Sequence, residues 1–269
     1  MIRIDFLGTG NAFTPSGRLH ALTLVDKKIL IDTPPTLITQ LRRNGLSTSD
    51  IEYLLFTHWH ADHIFGFPFF LLERKYISDP NNEQKLKIYL RPGGKEKLSY
   101  LCNQGFPGSL ENIEQLADWY EDEKILLEGT KWRFERFPVC HTPETDPHGY
   151  ELIHESGIKI LHCGDSGPCE EIEKRAESAD IIILEMGMPD IGNFPYHYTP
   201  NDIRKFSKKY LRSLILVTHN YASSRDSLEG FRIPDLPERV YQLEDGDAIE
   251  IDDFGEIKII MKEEKFVNF

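Results

Sequence analysis

The sequence predicts an α/β domain, on three observations. Short apolar runs with strand-like alternation are interleaved with segments of helical spacing along the chain. That order of strand then helix recurs in the second half. No linker, repeat or low-complexity tract divides the sequence, so residues 1–269 read as one domain.

The elements follow in order. Ile2-Arg3-Ile4-Asp5-Phe6-Leu7, Leu22-Thr23-Leu24-Val25 and Lys28-Ile29-Leu30-Ile31-Asp32 are strands, with turns at Gly8, Gly10 and Gly17. Residues 36–43 have helical spacing, and Gly45 stands where a helix C-cap would. Residues 51–56 form a buried strand that runs into Thr57-His58, and a helix is expected over about 62–76. Residues 87–90 and 132–139 read as strands with two short helices between them. A hairpin over 150–153 and 158–162 turns at Gly157. Helix 168–179, strand 181–184, helix 200–210 and strand 214–218 come next, and strands 248–251 and 257–261 close the chain.

Composition narrows the class. Hydrophobic residues at 40% and a length of 269 residues fit a folded globular chain and exclude a disordered one. The formal charge of −13 argues against general affinity for nucleic acid or an anionic membrane, where cationic side chains carry the binding. The N-terminus lacks the basic stretch and long apolar run of a signal peptide. The longest apolar run, 64–72, contains Gly66 and Pro68, so no membrane partner is expected. Cys102, Cys140, Cys163 and Cys169 are scattered without CxxC spacing, which points to reduced thiols and a cytoplasmic location.

The most informative segment is His58-Trp59-His60-Ala61-Asp62-His63. Three imidazoles and a carboxylate within six residues are ligand types that suit zinc, iron or manganese. In an extended loop positions 58 and 60 point the same way, so both imidazoles can reach one ion. Once a helix begins, Asp62 and His63 project elsewhere and can hold a second. Further polar residues end apolar runs at His141, Asp165 and His219, where loops build sites on the rim of a rigid sheet.

This set (H-x-H-x-D-H, then a His, then Gly-Asp-Ser, then Thr-His) resembles the metallo-β-lactamase superfamily. The resemblance implies a four-layer αβ/βα sandwich with two divalent ions, zinc in the first place and manganese or iron as alternatives, in the cleft between its sheets. One ion would take His58, His60 and His141. The other would take Asp62, His63 and His219, with Asp165 bridging both. Phe6-Leu7-Gly8-Thr9-Gly10, His63-Ile64-Phe65-Gly66-Phe67-Pro68 and the pair Leu184-Glu185-Met186-Gly187 with His197-Tyr198-Thr199 resemble the ribonuclease Z branch and its small-phosphodiesterase relatives. There the glutamate and histidine form a proton relay, here Glu185 and His197. Asp62, Asp165, Glu185 and His197 are therefore the candidate catalytic groups. The flanks of Glu185 depart from that branch, whose motif usually begins with His and ends Ala-Thr.

Members that process transfer RNA carry a Gly/Pro-rich arm after the third metal motif, and no such insertion lies between His141 and Asp165. The expected activity is hydrolysis of a small or cyclic phosphodiester by a metal-bridging hydroxide, since zinc lowers the pKa of bound water toward about 7. A thioester or lactone hydrolase of the same fold is the alternative. A tRNA 3′-processing nuclease, a non-catalytic binding module and an iron oxidoreductase rank below these. The iron branch tends to have Glu where this chain has His60. The expected partner is a small phosphoester, with long nucleic acid disfavoured; a homodimer is what the resemblance adds. The cations Arg204, Lys205, Lys208, Lys209 and Arg212 share one helical face, which reads as solvated rather than as a phosphate-backbone patch.

Overall fold

The structure is a computed structural model, described here for residues 1–122 and 124–262. In chain order its strands begin with β1 (Ile2–Gly8), β2 (Leu22–Val25), β3 (Ile29–Ile31), β4 (Tyr53–Leu55), β5 (Leu86–Tyr89), β6 (Ala117–Tyr120) and β7 (Lys124–Leu126). They continue with β8 (Trp132–Pro138), β9 (His148–His154), β10 (Lys159–His162), β11 (Ile181–Met186), β12 (Leu214–Asn220), β13 (Val240–Gln242), β14 (Ala248–Ile251) and β15 (Ile257–Ile260). The helices are α1 (Leu37–Arg43), α2 (Ala61–Ile64), α3 (Phe67–Glu73), α4 (Gly94–Gly105), α5 (Glu170–Ala176) and α6 (Pro200–Lys209).

The strands form two sheets, ordered β15-β14-β1-β2-β3-β4-β5-β6 and β13-β12-β11-β10-β9-β8-β7. Alternation along each strand sends side chains to two different cores. From β1, Ile2, Ile4 and Phe6 enter the layer between the sheets, where they meet Trp132, Phe134, Tyr150, Ile183 and Leu216. Leu7, Leu24, Leu30 and Leu54 face the other way and pack with Leu37, Phe67, Phe70 and Leu98 of α1, α3 and α4. On the far side, Ile182, Leu184, Ile215 and Val217 bury Ile172 of α5 and Ile203 and Phe206 of α6. The result is the four-layer αβ/βα sandwich of the metallo-β-lactamase fold. Strands buried on both faces explain the near-continuous apolar runs in β11 and β12. Polar ties also cross between the sheets, among them Tyr150 Oη donating to Phe56 O at 2.6 Å and Trp132 Nε1 to Asp26 Oδ2 at 2.7 Å.

Three departures from the sequence reading have local causes. The helix expected over 62–76 is two helices, α2 and α3, followed by a wide turn at Arg74–Ser78. Gly66 separates them because the backbone of Pro34 lies against it, with its carbonyl oxygen 2.0 Å from where a Cβ would sit. Pro68 then suits the first turn of α3, where no amide donor is needed. Between residues 90 and 132 only α4 is a full helix. Ile113–Gln115 is a single 3-10 turn, and two unexpected strands, β6 and β7, extend the sheets. Strand β13 was also not expected; it adds the outer edge beside β12. The domain range 1–269 includes residues 123 and 263–269, which lie outside the described residues. Among the described residues no helix is long and apolar enough to cross a membrane.

Candidate metal centre

The site is built where strands of the two sheets end against each other. Strand β4 leads through Phe56 and Thr57 to His58. The loop that follows is pinned to the second sheet's side by His148 N–H to Thr57 O (2.9 Å) and Trp59 N–H to Thr145 O (3.2 Å). His60 is the extended residue just before α2, and Asp62 and His63 lie on that short helix. His141 follows β8, Asp165 follows β10, and His219 sits in β12 with a positive φ of 46°. That backbone state interrupts the pairing of β12 with β11, where the register shifts between Glu185 and Met186.

The fold brings all seven candidate ligands together. His58, His60, His141 and Asp165 form one group and Asp62, His63, Asp165 and His219 a second; within each, the ligand atoms lie within 4.8 Å of one another. Asp165 belongs to both. In the first group His60 Nδ1 is 3.0 Å from His58 Nε2 and 3.0 Å from His141 Nε2. In the second, Asp165 Oδ2 is 3.4 Å from His63 Nε2 and 3.2 Å from His219 Nε2, and Asp62 Oδ2 is 3.4 and 3.3 Å from the same two nitrogens.

Hydrogen bonds on the outer side of the rings show what these atoms are arranged for. The Thr57 hydroxyl donates to Asp32 Oδ2 (2.7 Å), so it accepts from His58 Nδ1 (3.0 Å) and leaves a lone pair on His58 Nε2. His141 Nδ1 donates to Tyr196 O (2.8 Å), which turns a second lone pair toward His60. His63 Nδ1 donates to Asp32 Oδ2 (2.8 Å), and its Nε2 is buried with no hydrogen-bond partner. Lone pairs and carboxylates converging without enough protons to share ask for a cation. Nitrogen and oxygen donors of this kind, backed by carboxylate–histidine contacts, fit a divalent metal.

The electrostatics agree. Burial holds His58 well below its ordinary pKa, with the neighbouring imidazoles adding to the effect. At His63 burial works the same way but is outweighed by Asp165, Asp62 and Asp32, which raise it well above the ordinary value. Asp165 is held well below the carboxylate range against its own burial, chiefly by His219 and His63.

Glu185 and His197 also reach the cluster. His197 Nδ1 donates to Glu185 Oε1 at 2.6 Å, and Glu185, His197 and His219 form a third convergent group. The His197 ring centroid is 4.8 Å from that of His141 and 6.3 Å from that of His219, parallel to the latter within 3°. Glu185 is fixed by amide donors from Ser166 (3.1 Å) and Gly187. Burial opposes a charge on His197, but the Glu185 carboxylate outweighs it and raises the imidazole to about 9.

Sequence reasoning missed Asp32, which orients His63 and, through Thr57, His58. Its signal was present, because Asp32 ends an apolar run as Asp165 and His219 do. Asp32 takes a positive φ of 68°, which short Asp side chains tolerate better than most.

Comparison with known proteins places this geometry. Ribonuclease Z of Pyrobaculum aerophilum is 23% identical over 272 residues, covering 81% of this chain and 86% of its own length. A diphosphatase of the PhnP family superposes with a TM-score of 0.68 at 22% identity, covering 94% of this chain and 98% of its own. The metallo-β-lactamase fold protein YhfI of Bacillus subtilis superposes with a TM-score of 0.70 at 14% identity, covering 92% and 98%. The chain is thus a hydrolase of the metallo-β-lactamase superfamily, in its ribonuclease Z-like branch. A family model described as Anti-Pycsar protein Apyc1 matches residues 2–231, a span that runs from β1 beyond the end of β12. Because that single match takes in every residue of the cluster, the chain belongs to the Anti-Pycsar protein Apyc1 family.

Proposed function

We propose that the protein is a dinuclear metal-dependent phosphodiesterase acting on a small or cyclic phosphodiester, working as one hydrolase domain in the cytoplasm. The observation that carries this reading is the His197–Glu185 pair, 2.6 Å apart, with the His197 ring edge-on to His141 of one ligand group and parallel to His219 of the other. His58, His60, His141 and Asp165 would hold one ion, and Asp62, His63, Asp165 and His219 the other, with zinc the first choice and manganese or iron accepted by the same donors. When bound, such ions supply Lewis-acid neutralisation of phosphoryl oxygens and a water acidic enough to act at neutral pH.

The chain's own residues do the rest. Asp165, between the two groups, orients the attacking water. Glu185 holds the His197 ring by Nδ1 and keeps it protonated, so its Nε2–H is available to the leaving alkoxide or to the charged phosphoryl oxygens. Substrate size is limited by what surrounds the cleft. Between His141 and Asp165 the chain makes only a 3-10 turn and the β9–β10 hairpin, leaving no arm to grip a folded RNA. The basic face of α6 is engaged locally: Arg204 pairs with Asp190 (3.0 Å), Lys205 with Asp202 (3.6 Å) and Lys209 with Glu173 (2.8 Å). A homodimer is part of the proposal by likeness to related enzymes.

The test is turnover of bis-p-nitrophenyl phosphate and a cyclic phosphodiester by protein of known metal content, beside a thioester and a lactone panel. Phosphodiester turnover that chelator abolishes and zinc or manganese restores is expected. Metal-loaded protein that turns over only thioesters or lactones would move the function to the carboxyl-ester branch.

A further inference from the structure

Beneath the metal cluster, between the two sheets, lies a cavity of about 20 Å³ whose walls include Thr23, Asp32, His162, Asp165, Thr218 and His219. A water molecule needs roughly 10–15 Å³ of such space and two to four polar partners, whereas cavities that stay dry are apolar. Three atoms of the lining residues lack a hydrogen-bond partner among the described residues: His63 Nε2, which faces the ligand cluster, and Thr218 Oγ1 and His219 Nδ1, which belong to residues at least nine-tenths buried.

The last of these breaks a pattern. His58, His63 and His141 each give the ring nitrogen that faces away from the cluster to a protein acceptor: Thr57 Oγ1, Asp32 Oδ2 and Tyr196 O. His219 points Nε2 at Asp62 and Asp165 and has no such acceptor for Nδ1. A buried imidazole N–H left unpaired loses the hydrogen bond that water gives it in the unfolded chain, so folded chains rarely keep one without a solvent partner. Thr218 is unusual in the same way. It follows the apolar run Leu214-Ile215-Leu216-Val217, where a valine of the same shape would add no unpaired hydroxyl. On the opposite wall, His162 Nδ1 accepts from Gly164 N–H (3.3 Å), so its Nε2–H goes to Thr23 Oγ1 (3.3 Å). The hydroxyl hydrogen of Thr23 stays available.

We propose that this cavity is the binding site of one ordered water, which accepts the Nδ1–H of His219 and bonds to the Thr218 hydroxyl. Thr218 is then a positioning residue for His219, acting through that water as Asp32 acts directly on His63. The water site stands on the cavity and its polar walls. Its consequence for metal binding rests on His219 being a ligand, as assigned under the proposed function.

The test separates the two. Crystal structures of the wild type and of Thr218→Val, at a resolution that orders internal water, should show one peak within about 2.7–3.2 Å of both Thr218 Oγ1 and His219 Nδ1 in the wild type and none in the variant. Calorimetric titration with zinc should show binding weakened roughly 10- to 100-fold in Thr218→Val and restored in Thr218→Ser, with the melting temperatures of the metal-free proteins alike. Wild-type density with no peak there, or with a peak that refines as a metal ion, overturns the water site even if Thr218→Val does not fold. Zinc affinity within twofold of wild type in Thr218→Val overturns the positioning role. If His219→Ala binds both zinc ions as the wild type does, the ligand assignment fails instead, and the role of Thr218 with it.

Discussion

Asp32 Oδ2 lies 2.8 Å from His63 Nδ1 and also takes the Thr57 hydroxyl at 2.7 Å, so one carboxylate beneath the cluster sets the orientation of two imidazoles. Asn tolerates the positive φ at this position and keeps an acceptor, but it removes the charge. Asp32→Asn should therefore weaken zinc binding by about 10-fold or more while the fold persists. Titration calorimetry with circular dichroism checks this; unchanged affinity would mean that Asp32 is only structural.

Removing the His197 ring leaves the seven candidate ligands in place. His197→Ala should keep the metal content and lower kcat on bis-p-nitrophenyl phosphate by roughly 10²- to 10⁴-fold, the usual worth of a positioned acid. Glu185 raises the imidazole, so His197 stays protonated to higher pH than it would alone. Glu185→Gln should accordingly shift the alkaline limb of the pH–rate profile to lower pH. An unmoved limb would remove the pair from the mechanism.

Burial lowers His162 from its ordinary 6.5 to about 4, so the unfolded chain takes up this proton first as pH falls. The stability it contributes is full above pH 6.5 and is lost as pH drops through that window toward 4. For this group alone the loss at pH 5 is about 2 kcal/mol. His162→Gln should flatten the difference between urea midpoints measured at pH 7 and pH 5. A variant with the wild-type pH dependence would place the sensitivity elsewhere.

Gly66 has an ordinary helical φ of −77°, so its constraint is space rather than backbone conformation. A Cβ there would meet Pro34 O at 2.0 Å and Pro34 C at 2.8 Å, both backbone atoms that cannot rotate away. Gly66→Ala should destabilise by about 1–3 kcal/mol or more, read as a lower melting temperature. Full wild-type stability would show that the link from α2 to α3 can shift without cost.

The cluster was legible because its residues announce themselves twice, by ligand chemistry and by position after an apolar strand. His58 to His63 do so within one loop, and His141, Asp165 and His219 do so at separate strand ends. Glu185 was harder to read: it lies inside β11 rather than after it, and only the bond to His197 shows what it faces. Strands β6 and β7 escaped because they are four and three residues long and neither is fully buried, so neither develops an alternation to read. The break between α2 and α3 depends on the approach of Pro34 from elsewhere in the chain, which no local pattern carries. Asp32 carried the same signal as Asp165, but it lies 26 residues from the nearest motif residue in sequence and 2.8 Å from a ligand in space.

The candidate ligands divide between the halves of the molecule: His58, His60, Asp62 and His63 follow β4 of one sheet, whereas His141 and Asp165 follow β8 and β10 of the other and His219 lies in its β12. An ion held by both sets exists only while the two sheets face each other, so its binding free energy is added to their cohesion as RT ln(1 + [M]/Kd). Free metal at 100 times Kd would contribute about 2.7 kcal/mol per site, a large share of the margin by which a domain stays folded. Scarcity of the ion would then act on the lifetime of the protein as well as on its turnover.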